Sequence, residues 1–354
     1  MAVEKPIGFI PEQEQAIEQM VEIDGSAFAD DLAPNVEMME DGSAIIGEQE
    51  QVITSSFDMN LAEVLDDDTL NLISSELRQA FEDDKASRKD WEETYKKGLD
   101  LLGFKYTERS QPFQGASSVT HPMLSEAITQ FQAQAYKELL PSGGPVNTQI
   151  LGNTSTQKEE QAQRIKDFMN YQITYEMEEY DPDMDSLLFY LPLSGSAFKK
   201  VYYDEGMGRA VSKFVPSDDL YVPYQTTDFP SCERITHVIR RTKNDITKMQ
   251  VAGMYRDVDL SVLNNETALQ EKEATLSGIK KSYHDEDYQL LEMHVDLNIE
   301  GIDTEDGIKV PYIVTIDEGS SNVLSIYRNY DEQDGRQKKR QYFVHYKFLP
   351  GFSF

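Results

Sequence analysis

From residue 69 onward the apolar side chains recur at intervals that suit regular backbone. Leu70, Ile73, Leu77 and Phe81 fall on one face of a helix, with Asp68 as the N-cap candidate. Trp91, Tyr95, Leu99 and Leu102 follow at i, i+4, i+8 and i+11, which predicts a second helix over 87–102 closed by Gly103. A third stripe, Leu124, Ala127, Ile128, Phe131, Ala135 and Leu139, is stopped by Pro141-Ser142-Gly143-Gly144-Pro145. A fourth, Ile165, Phe168, Met169, Ile173 and Met177, ends before Asp181-Pro182, where the carboxylates of Asp181, Asp183 and Asp185 read as a further helix start at the positive end of a macrodipole.

Beyond that point the period shortens. Residues 197–203 and 209–215 are aromatic and β-branched runs joined by Asp204-Glu205-Gly206-Met207-Gly208, a hairpin pattern with glycine in its loop. Residues 234–241 predict another strand, and Asn244 a helix carrying Ile246, Met249 and Met254. After a polar, poorly periodic stretch over 257–287, the runs 290–299, 308–317 and 322–330 alternate as strands around Gly301 to Gly307 and Gly319-Ser320, a small β-module. The expected fold class is α+β. No repeat of 20–50 residues is present.

The first 68 residues behave differently. They hold 18 of the 64 acidic side chains and one of the 33 basic ones, Lys5, and up to about Ser56 they are rich in Glu, Gln, Gly, Ser and Asp without periodic apolar positions. Such a composition buries too little apolar surface to offset the entropy of ordering, so 1–68 is expected to be a disordered acidic arm. It is either a solvating leader or a tail that touches a partner or masks a basic surface. The whole chain of 354 residues carries a formal charge of -31. Tight binding of nucleic acid through the average surface is thereby excluded, because that binding rests on cations that displace counterions from phosphates. One cysteine, Cys232, excludes an internal disulfide framework and a cysteine zinc site, and suits a reducing compartment. Met1 to Gln15 shows neither an apolar signal core nor an Arg-rich transit pattern, and the longest near-apolar stretch, 187–193, is too short for a membrane span; an intracellular origin is expected.

Catalytic patterns are missing from the sequence. Gly195-Ser196-Ala197-Phe198-Lys199 lacks the second glycine and the hydroxyl of a phosphate loop, and Gly206-Met207-Gly208 is explained by turn geometry. Asp181 to Pro192 imitates a calcium loop but has Ser186 where glycine is needed and Pro192 where the bidentate glutamate belongs. None of the five histidines lies three or four residues from another; His121, before Pro122 at a helix start, and His237, in a strand, read as structural. The acidic residues would supply a two-metal phosphodiester site only by chance pairing, and no pattern supports one. No enzymatic activity and no cofactor are expected. The single local reversal of charge runs from Arg328 to Lys347, with Arg336, Lys338, Lys339 and Arg340 at its centre; it fits contact with phosphate or an acidic partner, and equally a solvated strand end beside Asp331, Glu332 and Asp334.

A series of short segments nevertheless has a recognisable order. Trp91-Glu92-Glu93-Thr94-Tyr95-Lys96-Lys97-Gly98-Leu99-Asp100-Leu101-Leu102-Gly103 and Gln111-Pro112-Phe113-Gln114-Gly115-Ala116-Ser117-Ser118-Val119-Thr120-His121-Pro122 resemble portal proteins of short-tailed, podovirus-like bacteriophages. In the same order come Ala135-Tyr136-Lys137-Glu138-Leu139-Leu140-Pro141, then Gly195 to Tyr203, Val215-Pro216-Ser217-Asp218-Asp219, Glu233-Arg234-Ile235-Thr236-His237 and Asn244-Asp245-Ile246. Phe348-Leu349-Pro350-Gly351-Phe352-Ser353-Phe354 is similar to the start of that family's stem helix.

The resemblance implies a portal-like α+β fold in a dodecameric ring at one vertex of the virion capsid. A wing of helices and strands would span 69–256, a stem approach 257–289, a clip-like β-module 290–345 and the start of a stem 346–354. Family members continue through a second stem helix, a tunnel loop, more wing and a crown, so the aromatic end at Phe354 reads as a cut. The implied partners are other copies of the chain, the large terminase subunit, tail adaptor proteins, the major capsid and scaffolding proteins, and double-stranded DNA in transit. No membrane is implied. An acidic wall would let DNA slide, because it offers phosphates no cations to pair with. The other reading is a soluble head-assembly adaptor or scaffold-binding protein without a channel. Subunit contact, or equally core packing, is expected at Trp91, Tyr95, Pro112, Phe113, Gln114, Gly115 and His121, where aromatic and glycine-rich connections join packed helices. Phosphate or partner contact is expected at Arg328, Arg336, Lys338, Lys339 and Arg340.

Overall fold

The computed structural model describes residues 36–38, 44–46, 57–102, 113, 121–204, 206–224, 226, 229–262, 287–299, 302 and 307–348. Two compact units are present, 1–54 and 55–354. In the first, β1 (Val36–Met38) pairs antiparallel with β2 (Ala44–Ile46), Val36 opposite Ile46. The remainder of the expected arm up to Ser56 lies outside the described residues.

The second unit begins earlier than the acidic composition predicts. Phe57 and Leu65 pack against the main core, and Leu61 and Ala62, in a 3-10 turn over Leu61–Glu63, are fully buried in it. The expected arm boundary at residue 68 is therefore corrected to about 56; four apolar residues among the acids suffice to anchor this stretch. Helix α1 (Asp67–Ser87) is capped by Asp66, two residues before the candidate Asp68, because the Asp66 carboxylate reaches the Thr69 amide at 3.1 Å and the Thr69 hydroxyl at 2.6 Å. Those two bonds hold its carboxyl below the usual range. Then follow α2 (Lys89–Leu102), α3 (Met123–Leu139), α4 (Thr156–Tyr171), a π-helical turn over Gln172–Glu176 and α5 (Tyr180–Ser194). Gly103, expected to close α2, lies outside the described residues.

The strands are β3 (Ser196–Asp204), β4 (Arg209–Val215), β5 (Leu220–Tyr221), β6 (Arg234–Thr242), β7 (Asp287–Leu297), β8 (Val310–Asp317), β9 (Val323–Arg328) and β10 (Phe343–Lys347), with α6 (Lys243–Val251) after β6. Thr242, rather than Asn244, caps α6, since its hydroxyl accepts from the Asp245 amide. Both sheets are antiparallel, one in the order β10-β3-β4 and one in the order β5-β6-β7-β8-β9. The fold is thus mixed α+β with antiparallel sheets. No helix among the described residues is long and apolar enough to cross a membrane.

The strand order corrects the expected domain division. β6, from the expected wing, pairs along nine residues with β7, from the expected clip-like module, and β10 returns to pair with β3. The strands β7, β8 and β9 therefore share one sheet with β5 and β6, because β7 needs partners on both edges and β6 and β8 supply them. Of the stem segments, 263–286 and 349–354 lie outside the described residues.

The order of layers follows from strand alternation. Leu291, Met293 and Val295 of β7, with Tyr312, Val314 and Ile316 of β8, face Leu70, Ile73, Leu77 and Phe81 of α1 in the largest core. On the reverse face, Ile235 of β6 and Leu220 of β5 meet Phe198, Val215 and Phe343 of the smaller sheet. The smaller sheet's other side carries Ala197 onto Met184, Leu187, Leu188 and Leu191 of α5, with α3 behind. The chain passes directly from α5 into β3 through Gly195 at φ +80°, a left-handed C-cap that glycine adopts without Cβ strain. Burial of each such Leu, Ile or Phe contributes about 1.5–3 kcal/mol.

Two arginines tie α1 to the sheet. Arg234 of β6 binds Asp84 through Nε and Nη2, both at 3.0 Å, and Arg88 donates to the carbonyls of Ser217, Asp218 and Leu220 at 2.8–3.1 Å while lying 3.6 Å over the Tyr221 ring.

The edge of β9 is met by the Asn60 side chain and by the Arg256 amide, which donates to the Leu324 carbonyl at 2.8 Å. Asn60 Nδ2 donates to the Leu324 carbonyl at 3.1 Å, and its Oδ1 accepts from the Ile326 amide at 3.0 Å and the Ala62 amide at 3.1 Å. Asn60 thus occupies the place of a missing sixth strand. Replacing Asn60 by alanine leaves the buried Ile326 amide without a partner and takes one of two donors from the Leu324 carbonyl, and is expected to cost about 1–3 kcal/mol, read as a lower denaturant midpoint.

Candidate functional site

β7 reads Leu290-Leu291-Glu292-Met293-His294-Val295, an apolar run interrupted at two positions of equal parity. Alternation puts Glu292 and His294 on the face turned to the smaller sheet, where Lys200 of β3 arrives from the other side. Lys200 Nζ lies 2.5 and 2.6 Å from the two Glu292 oxygens, and His294 Nε2 is 2.9 Å from Oε1. The Lys200 and Glu292 side chains are 16% and 15% exposed, and His294 is buried. His237 stands directly across from Glu292 on β6, its Nδ1 without a partner. Phe343 of β10 packs edge-on against both imidazoles, 5.6 Å from His237 and 5.2 Å from His294.

The electrostatics follow from this closure. Burial would raise the Glu292 carboxyl, but Lys200 and the His294 bond more than reverse it and hold the group well below the usual carboxylate range. Burial pushes His237 down to about 3 and His345, stacked on Phe198 at 4.6 Å, down to about 4; His294 is lowered too, burial outweighing the pull of Glu292. The two imidazoles beside Glu292 are therefore neutral at pH 7. Behind the small sheet, Lys199 is 2% exposed, with Nζ 3.9 Å from the Tyr180 ring centroid and no hydrogen-bond partner; burial lowers it to about 8 against the pull of Asp183 and Glu179.

The cluster holds a fixed negative charge and its counter-cation between sheets, covered by aromatic rings. That arrangement aligns strands. Among the described residues no group of three or more His, Cys, Asp or Glu could hold a metal ion. The sequence reading passed over Lys200, Glu292 and His294; the signal was the pair of polar residues at alternate positions inside an apolar strand.

A second feature lies on the surface. No residue of α4 is buried, yet Ile165, Phe168 and Met169, at i, i+3 and i+4, are 46%, 58% and 41% exposed. Tyr171 and Tyr175 continue the surface through the π-helical turn, their rings stacked 5.7 Å apart. What ties α4 to the body is chiefly Asn170, which accepts from the Val146 amide at 2.9 Å and donates to the Val146 carbonyl at 3.1 Å. Gly144, at φ +91°, leaves that clamp room, since a Cβ there would sit 2.4 Å from Asn170 Oδ1.

The residues expected at subunit contacts are divided. Trp91 and Tyr95 make intramolecular contacts, as in the packing alternative: they stack on each other at 5.2 Å, Trp91 Nε1 donates to the Ser194 carbonyl at 3.0 Å, and Tyr95 is buried. Phe113 is 65% exposed and His121 is exposed, whereas Pro112, Gln114 and Gly115 lie outside the described residues. The expected basic group is divided as well. Arg328 donates to the Phe57 carbonyl at 2.9 Å and Lys339 to the Cys232 carbonyl at 3.2 Å, so both are drawn inward. Arg336, Lys338 and Arg340 are exposed, Arg340 lying 3.7 Å from Asp331. Neither protein-family models nor curated proteins include a match to the chain.

Two outcomes are expected of the buried cluster. Lys200→Met or Glu292→Gln should each lower stability by about 3 kcal/mol, and the double variant by less than the sum, because each single change leaves its partner's charge or bonding capacity unmatched. A double-mutant cycle in denaturant measures this. The histidines set the acid limb. A folded pKa below the unfolded value of about 6.5 means the unfolded chain binds more protons once pH falls below that value. Stability is therefore expected to decline from about pH 6.5 downward, by at most about 1.4 kcal/mol per pH unit for each buried imidazole. His237→Gln should flatten that decline between pH 6.5 and 4, measured as denaturant midpoint against pH.

Proposed function

We propose that the chain is a subunit of a phage portal vertex: a non-enzymatic component of a ring, located in the virion, through which DNA enters and leaves the head. The observation that carries this reading is the co-linear series of portal-like segments from Trp91 to Ile246. Those within the described residues fall on regular elements and on the turns between them. The first is α2, another the C-terminal turn of α3, another the Gly195 cap with β3, another the turn whose carbonyls Arg88 collects, and the last two are β6 and the start of α6. A ring needs these helix and sheet layers to keep a fixed geometry in every copy.

The charge supports the same reading. With 64 acidic against 33 basic residues the chain repels duplex DNA on average, as suits a wall past which DNA slides. On this reading the β6–β7 pairing makes 290–345 part of the wing. The partners are further copies of the chain, the terminase, tail adaptors, and capsid and scaffolding proteins.

One observation favours the runner-up, a head-assembly adaptor or scaffold-binding protein without a channel. The strands assigned to a clip form no separate docking module among the described residues. Electron micrographs of the purified chain, with its mass in solution, separate the two. The portal reading expects rings with a central hole and a mass several-fold above 40.4 kDa, twelvefold for a dodecamer. Monomers that bind capsid or tail proteins without any hole would replace it with the adaptor reading.

A further inference from the structure

We infer that the exposed face of α4 and the following π-helical turn is where a second copy of this chain docks. The inference rests on the ring reading above and names its contact. A helix of this length without a buried face is marginal in water, because tertiary packing supplies most helical stability. α4 nonetheless spans Thr156–Tyr171 with none of its residues buried, tied to the body mainly through Asn170. The apolar side chains Ile165, Phe168, Met169, Tyr171 and Tyr175 lie contiguously along it and 41–73% exposed. They have the large, adaptable and aromatic character of contact residues.

The charge on the helix selects the occupant. Two copies of a chain with net charge -31 repel each other over most of their surface. Over 156–171, however, Lys158, Arg164 and Lys166 balance Glu159, Glu160 and Asp167, and Glu176 at the end of the π-helical turn brings the whole face to a net charge of only -1. Two acidic copies meet with little repulsion on such a surface. A basic partner would gain more from the acidic surface elsewhere, and an anionic lipid or nucleic acid finds no net positive charge here.

The test uses the full chain and the triple variant I165Q/F168Q/M169Q. Glutamine keeps the helical propensity, and no core position changes. The expected result is a wild-type chain that assembles and a variant with unchanged circular dichroism that stays monomeric at concentrations at least tenfold higher. A wild-type chain that assembles beside a variant that assembles equally well overturns the inference and leaves the ring reading standing. A wild-type chain that stays monomeric at every concentration overturns both. Met169→Cys gives a readout that does not depend on the triple variant folding, because Cys232, the only native cysteine, is buried. Its alkylation should slow about tenfold in the assembled protein relative to the dilute monomer. An unchanged rate would overturn the inference.

Discussion

Two sheets packed face to face can slide unless something on their shared surface resists it. Here the resisting element is the pair Lys200 and Glu292, one on each sheet, with nitrogen and oxygens 2.5–2.6 Å apart. A shift of either strand by one residue would turn its charge to the opposite face and leave the other unpaired where water is scarce. The apolar contacts around it, Phe198, Val215, Ile235 and Phe343, supply cohesion but little directional preference. The ion pair selects the alignment, and the helices on both outer sides take their positions from it.

The same economy governs the edges. Asn60 and the Arg256 amide meet the β9 edge, β5 is only two residues long, and Arg88 collects the carbonyls of the turn beside it. The body thus presents little backbone that a neighbour might pair with. α4 leaves a group of apolar side chains, rather than backbone, in solvent. On the inference drawn above, association is directed to that face.

Charge gives this restriction its functional sense. Acidic residues outnumber basic ones nearly two to one, and several of the cations are engaged within the chain. Arg234 holds Asp84, Arg209 holds Glu179 through two 2.9 Å bonds and lowers its carboxyl, Lys200 holds Glu292, and Arg328 and Lys339 hold backbone carbonyls. Cations engaged in this way are not available to phosphates. On the portal reading proposed above, an acidic surface and a near-neutral helix suit a self-associating subunit around passing DNA.

Period alone determined the elements: the stripe of α1, the β3–β4 hairpin, and the strands β7, β8 and β9 could be read from the sequence, because local backbone geometry imposes 3.6- and 2-residue repeats on whatever must be buried. Helix starts were misread by two residues at Asp66 and Thr242, where several capping residues compete and only the one whose oxygen reaches the right amide wins. Only the tertiary structure decided that β6 and β7, separated by 44 residues between Thr242 and Asp287, are neighbours, and that Lys200 meets Glu292. It also decided that Phe57 to Leu65 belongs to the core despite its acidic surroundings, and that the stripe of α4, indistinguishable by period from that of α1, faces outward. Amphipathic spacing states that a face seeks burial, while the surface that buries it is chosen by long-range packing.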